Sequence, residues 1–175
     1  MEELYAHLLQ RCFPYKNKME IYTHVLNLLR WVLWSTRPLR VAELDAALSI
    51  YQHEGSFKGE SLGRGIGTNR LRFQITNLCY PIISIQQDDT VAIVHLTFKY
   101  FIQHWKGSGS DIQPLLSQLS ETAASVNMAQ ACLAYLNEPQ FLQYQDLLKD
   151  ITDSATFDAR YGLFGLCLTG LDIAL

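Results

Sequence analysis

Between Thr90 and Ile102 the spacing of apolar residues changes once, at His95. Thr90-Val-Ala-Ile-Val94 is apolar and rich in β-branched residues, as a strand requires, whereas Phe98, Phe101, Ile102 and Trp105 recur at helical spacing. A strand that runs directly into a helix fixes the direction of both and leaves one titratable side chain at the junction. A histidine beside a helix N-terminus suits contact with a phosphate or a polar group of a partner. A hydrogen-bonded structural role is the alternative for any lone histidine.

The segments before this junction supply the rest of a small domain. Leu4, Leu8 and Leu9 predict a short helix over residues 2–12, stopped by Phe13-Pro14. Tyr22, Val25, Leu26, Leu29, Val32 and Leu33 predict a longer, mostly buried helix over residues 17–34. Arg37-Pro38 breaks it, and Leu44, Ala47, Leu48 and Tyr51 mark the next. Residues 53–68 hold five glycines among Ser, Lys and Glu and predict a surface loop.

Thr68 or Asn69 is the expected cap of a third helix with Leu71, Ile75, Leu78 and Cys79 on one face, ended by Pro81. Residues 82–86 and 90–94 then predict two strands joined through Gln87-Asp88-Asp89. Three helices closed by a two-stranded hairpin are the parts of a winged helix. The expected fold class is therefore mainly α, a winged helix followed by a small helical extension.

Composition divides the chain into four stretches. Residues 1–14 read as an entry helix, 15–106 as the winged-helix domain, 107–114 as a Gly-Ser linker and 115–175 as the extension. In the extension, Ala124, Met128, Ala131, Cys132, Tyr135 and Leu136 form one apolar face, and Phe141, Tyr144, Leu147 and Leu148 a second.

With 49% hydrophobic and 18% charged residues the 175-residue chain can bury a core. Its net charge of −3 gives no general attraction to nucleic acid or anionic lipid. Cys12, Cys79, Cys132 and Cys167 form no ligand spacing and read as buried free thiols. The start Met-Glu-Glu-Leu-Tyr has neither a basic nor an apolar stretch, so a cytoplasmic setting is expected. The apolar segment 161–175, broken by Gly162, Gly165, Gly170 and Asp172, falls short of a membrane span.

Six stretches carry a resemblance. They are Leu4-Tyr-Ala-His-Leu-Leu-Gln-Arg11, Leu29-Arg-Trp-Val-Leu33, Arg37-Pro-Leu39, Glu43-Leu-Asp-Ala-Ala-Leu48, Val94-His-Leu-Thr-Phe98 and Ala131-Cys-Leu-Ala-Tyr-Leu136. In this order they resemble the winged-helix region that follows the nucleotide-binding core of fungal NACHT-type STAND proteins, the NLR-like receptors of innate immunity.

The resemblance implies a regulatory, non-catalytic module that closes over bound nucleotide. His95 would reach the diphosphate of ADP, with Thr97 beside it. It further implies a NACHT core in cis or in trans as partner and a C-terminal repeat domain in longer relatives. The chain departs from the family pattern at Thr97 and Tyr100, where a serine and a glutamate would form a capping box, and at Arg40, where a threonine would cap the second helix.

Nothing in the 175 residues reads as G-x-x-x-x-G-K-[ST], so ADP or ATP is expected only through the core, with no cofactor in this chain. The sequence thus reads as part of a longer receptor or as a remnant acting with another chain. His7, His24, His53, His95 and His104 show no metal-binding spacing, and neither catalysis nor a metal is expected. An autonomous DNA-binding winged helix is the rival reading, with Arg64, Arg70 and Arg72 as contacts. The acidic pair Asp88-Asp89 at the wing tip argues against it.

Overall fold

The longest described apolar stripe determines the centre of the molecule. In the computed structural model, which describes residues 2–13, 19–50, 66–105 and 112–136, helix α2 (Met19–Trp34) buries Val25, Leu26, Leu28, Leu29, Trp31 and Leu33. Trp31, Leu28 and Leu29 have no exposed surface, and each such side chain contributes about 1.5–3 kcal/mol on leaving water. Helix α1 (Glu2–Arg11) precedes it and buries Tyr5 and Leu9.

After α2 the chain turns through Pro38 into the two-residue strand β1 (Leu39–Arg40) and helix α3 (Val41–Ser49). Arg40 occupies the N-cap of α3 and, as its chemistry dictates, its side chain caps nothing. The other half of the capping arrangement persists: Glu43 accepts the Arg40 N–H at 2.8 Å and a two-pronged ion pair from Arg37 at 2.6 and 2.9 Å. Burial pulls the Glu43 pKa up, but these donors outweigh it and hold the carboxyl below its ordinary value.

Helix α4 (Thr68–Gln74) starts one residue earlier than a Thr68 or Asn69 cap would have it. Its N-cap is Gly67, at φ +92°, a conformation that glycine adopts without strain. The helix continues into a π-helical turn (Ile75–Cys79), and Leu71, Ile75 and Cys79 face the core. The Tyr80–Pro81 peptide, which is cis, then leads into the hairpin.

Strands β2 (Ile83–Ile85) and β3 (Thr90–Ile93) pair antiparallel, with Ile83 opposite Ile93 and Ile85 opposite Val91. The hairpin agrees with the sequence reading, but it is two strands of three. β1 pairs with the other edge of β3, setting Leu39 opposite Val91, so the sheet order is β1-β3-β2. The turn is held by Asp88, which accepts the Thr90 N–H and hydroxyl, and by Asp89 at φ +70°.

Helix α5 (Leu96–His104) follows β3 and buries Phe98, Phe101 and Ile102. Tyr5 of α1 packs edge-on against Phe98 and tilted against Phe101, with ring centroids 5.6 Å away in both cases.

Helices α6 (Gln113–Gln118) and α7 (Glu121–Leu136) complete the described chain. The 114/115 boundary drawn from composition falls inside α6, and Ile112, from the stretch read as linker, is buried. Ile112, Leu115, Leu116, Leu119, Ala131 and Cys132 belong to the same hydrophobic cluster as α2 and α5. Three polar bonds secure this junction. Trp34 Nε1 donates to the Leu119 carbonyl at 2.9 Å, Arg30 Nε to the Gln118 carbonyl at 3.0 Å, and the Tyr22 hydroxyl to Gln118 Oε1 at 3.5 Å. The second apolar face expected at Phe141–Leu148, the segment after Arg160 and most of the 53–68 loop lie outside the described residues.

Candidate functional site

His95 sits where the period change in the sequence puts it. It is the N-cap of α5, with φ −132° and ψ +119°, so its backbone belongs to the strand while its carbonyl accepts the Phe98 N–H at 2.9 Å. The imidazole is exposed and makes no capping bond. The Leu96 and Thr97 N–H groups that open the helix have no partner within it, so the ring stands beside donors at the positive end of the helix dipole.

The register carries the neighbourhood further. Ile83 pairs with Ile93 and the Val94 N–H donates to the Ile82 carbonyl at 2.9 Å, so Tyr80-Pro81 and His95 lie at one end of the hairpin, opposite the Asp88-Asp89 turn. Tyr80, Val94, Leu96 and Tyr100 are all exposed apolar side chains, Leu96 at 79%. A polar, ligand-ready ring with apolar side chains close to it in the fold suits a face that meets another module.

Thr97, the second residue assigned from the resemblance, points elsewhere. Its hydroxyl is bonded to the Tyr5 hydroxyl of α1, so it anchors the entry helix to the first turn of α5. The link joins residues far apart in sequence, and no local pattern announces it.

Of the three arginines of the rival reading, the two described ones have different surroundings. Arg72 forms an ion pair with Asp89 at the wing tip, and both side chains are 40% exposed. Arg70 lines a cleft of about 540 Å³ between α2 and α4, together with His24, Thr23, Asn27, Leu48 and Gln74. Arg64 lies outside the described residues.

Within that cleft His24 Nε2 is 2.9 Å from Gln74 Oε1. Burial lowers the His24 pKa, the Gln74 bond partly offsets this, and the Arg70 charge lowers it further. The folded chain therefore resists protonation that the unfolded chain accepts near its ordinary value of 6.5. Stability present at neutral pH is lost as the pH falls through that value toward the lower folded one. His24→Gln is expected to flatten this slope between about pH 7 and 5, as read from urea midpoints across that range. An unchanged slope would assign the effect to other groups.

Among the described residues no cluster of His, Cys, Asp and Glu could hold a metal ion, and no helix is long and apolar enough to cross a membrane. One further motif lies in the glycine-rich stretch. Gly59-Glu60-Ser61-Leu62-Gly63 has the G-x-S-x-G form of a hydrolase nucleophile turn. That turn needs an apolar strand before the glycine, and Gln52-His-Glu-Gly-Ser-Phe-Lys58 does not supply one. The segment lies outside the described residues.

No curated protein and no solved structure gives a match to this chain. A family model described as "GPI inositol-deacylase, winged helix domain" matches residues 18–112, which run from the start of α2 to the entrance of α6. The match covers more than half of the chain and the whole of the three-stranded sheet, and the chain belongs to this winged-helix family.

Proposed function

We propose that the chain is a non-catalytic regulatory module, a nucleotide-state latch that couples a NACHT-type core to the helices after it. The observation that carries this reading is the exposed His95 imidazole at the N-cap of α5, free of any capping bond. An imidazole N–H donates well to a phosphate oxygen, and the first-turn amides beside it add partial positive charge. Val94, Leu96 and Tyr100 would then pack against the core in the closed, ADP-bound state. Exchange for ATP requires the module to swing away, which makes it one of two states biased by the nucleotide. The α6–α7 pair, bonded to α2 through Arg30 and Trp34, would move with it.

The test is the complex of this chain with a NACHT core, fused or mixed. His95→Ala should shorten the residence of labelled ADP about tenfold, the effect of losing one hydrogen bond to a charged group. Unchanged release would remove the latch assignment.

The family description favours a second setting, in which the same module accompanies a GPI inositol-deacylase. The reading frame upstream of Met1 distinguishes the two, since a P-loop domain supports the first and a hydrolase domain the second. DNA binding is disfavoured by the Arg72–Asp89 pair, which uses an α4 cation inside the fold. A salt-dependent gel shift lost in Arg70→Ala/Arg72→Ala would revive it.

A further inference from the structure

The cleft between α2 and α4 holds more hydrogen-bond donors than its own bonds consume. On α4, Arg70 and Gln74 are four residues apart and share a face, and His24 and Asn27 stand three apart on α2 across from them. Asn27, only 2% exposed, spends its Oδ1 on Arg30 at 3.0 Å, and that bond leaves its two amide hydrogens unused. Gln74 is engaged with His24 through Oε1 at 2.9 Å, so its amide hydrogens are not spent there either. Among the described residues Arg70 has no carboxylate partner, unlike Arg72, which holds Asp89.

We propose that this cleft binds a small organic monocarboxylate, with Arg70 and the Gln74 and Asn27 amides donating to the carboxylate and an apolar body lying on Leu48 and Ile66. The volume of about 540 Å³ falls within the range of small-molecule sites, and those two side chains supply the apolar wall that such sites have. A guanidinium presents paired N–H groups that match the edge of a carboxylate.

Charge decides the class of anion. Burial, with the Arg70 charge behind it, keeps His24 neutral at pH 7, and the Glu20 carboxylate lines the same cleft. One positive charge therefore faces the ligand, enough for a carboxylate and too little for a phosphate dianion. The inference stands independently of the nucleotide-latch reading, because His95 is not part of this cleft.

The isotopically labelled full chain is titrated at pH 7 and constant ionic strength with phenylacetate and, in parallel, with phenylacetamide and inorganic phosphate, and its amide resonances are followed. Phenylacetate is expected to saturate with a dissociation constant of about 1 mM and to shift resonances within residues 20–27 and 70–74. Phenylacetamide, which keeps the body but not the charge, should bind about tenfold more weakly, and Arg70→Gln should weaken phenylacetate by a similar factor. Arg72→Gln, outside the cleft, should bind it as the unaltered chain does. Equal affinity for acid and amide, phosphate binding as tight as phenylacetate, shifts confined to other residues, or undiminished binding to Arg70→Gln would each overturn the proposal. The comparison of acid with amide on the unaltered chain decides this even where a variant fails to fold.

Discussion

Replacing Phe98 with alanine is expected to destabilise the fold by about 3–5 kcal/mol, the usual cost of deleting a fully buried aromatic ring. Phe98 has no exposed surface and lies between Tyr5 of α1 and Phe101 of its own helix. Its loss leaves a cavity where α1 and α5 meet, and the two edge and stacking partners cannot both collapse into it. Urea unfolding followed by tryptophan fluorescence measures the effect, with Tyr100→Ala as comparison. Tyr100 is 63% exposed and, among the described residues, stacks on His104 alone, so its removal should stay within about 0.5 kcal/mol. A Phe98→Ala variant as stable as Tyr100→Ala would mean that α5 is not packed as described. The position of His95 at the helix start would then lose its support.

The strand-to-helix junction was legible because two local signals agree there. A β-branched run ends and a helical stripe begins within three residues, and α5 starts at Leu96. Helices α1, α2 and α4 follow their apolar stripes for the same reason. β1 was not legible: a strand of two residues has no period, and Leu39 gains its place only by facing Val91, far along the chain. Helix α6 is a different case. Ile112, Leu115, Leu116 and Leu119 carry a helical pattern in plain sequence, but the preceding Gly-Ser-Gly-Ser stretch draws the boundary past its start.

At the site itself the position of His95 was readable, whereas its surroundings were not. The Tyr5–Thr97 bond and the Arg72–Asp89 pair depend on tertiary approach, which neither propensity nor spacing encodes. The sequence holds no acidic residue between Glu60 and Asp88, which leaves the arginine cluster without a counter-charge inside that stretch. The fold brings the wing residue Asp89 back to Arg72.

The same tertiary logic makes the C-terminal helices part of the winged helix in energetic terms. Leu119→Ala is expected to cost about 3 kcal/mol, as for other fully buried leucines. Leu119 lies between α6 and α7, and its carbonyl receives the Trp34 indole N–H, while the Lys99 ammonium sits 4.5 Å from the Trp34 ring centre. Trp34 therefore joins α2, α5 and the α6–α7 turn, and loosening Leu119 should be felt in all three. Native-state hydrogen exchange provides the measurement, because it reads each helix separately. In Leu119→Ala the amides of α2 should lose protection together with those of α7, by a similar factor. Loss confined to α6 and α7, with α2 unchanged, would divide the chain into two independent units. A module that transmits motion from the His95 face to the C-terminal helices requires the first outcome, since helices that unfold separately cannot be moved by α2.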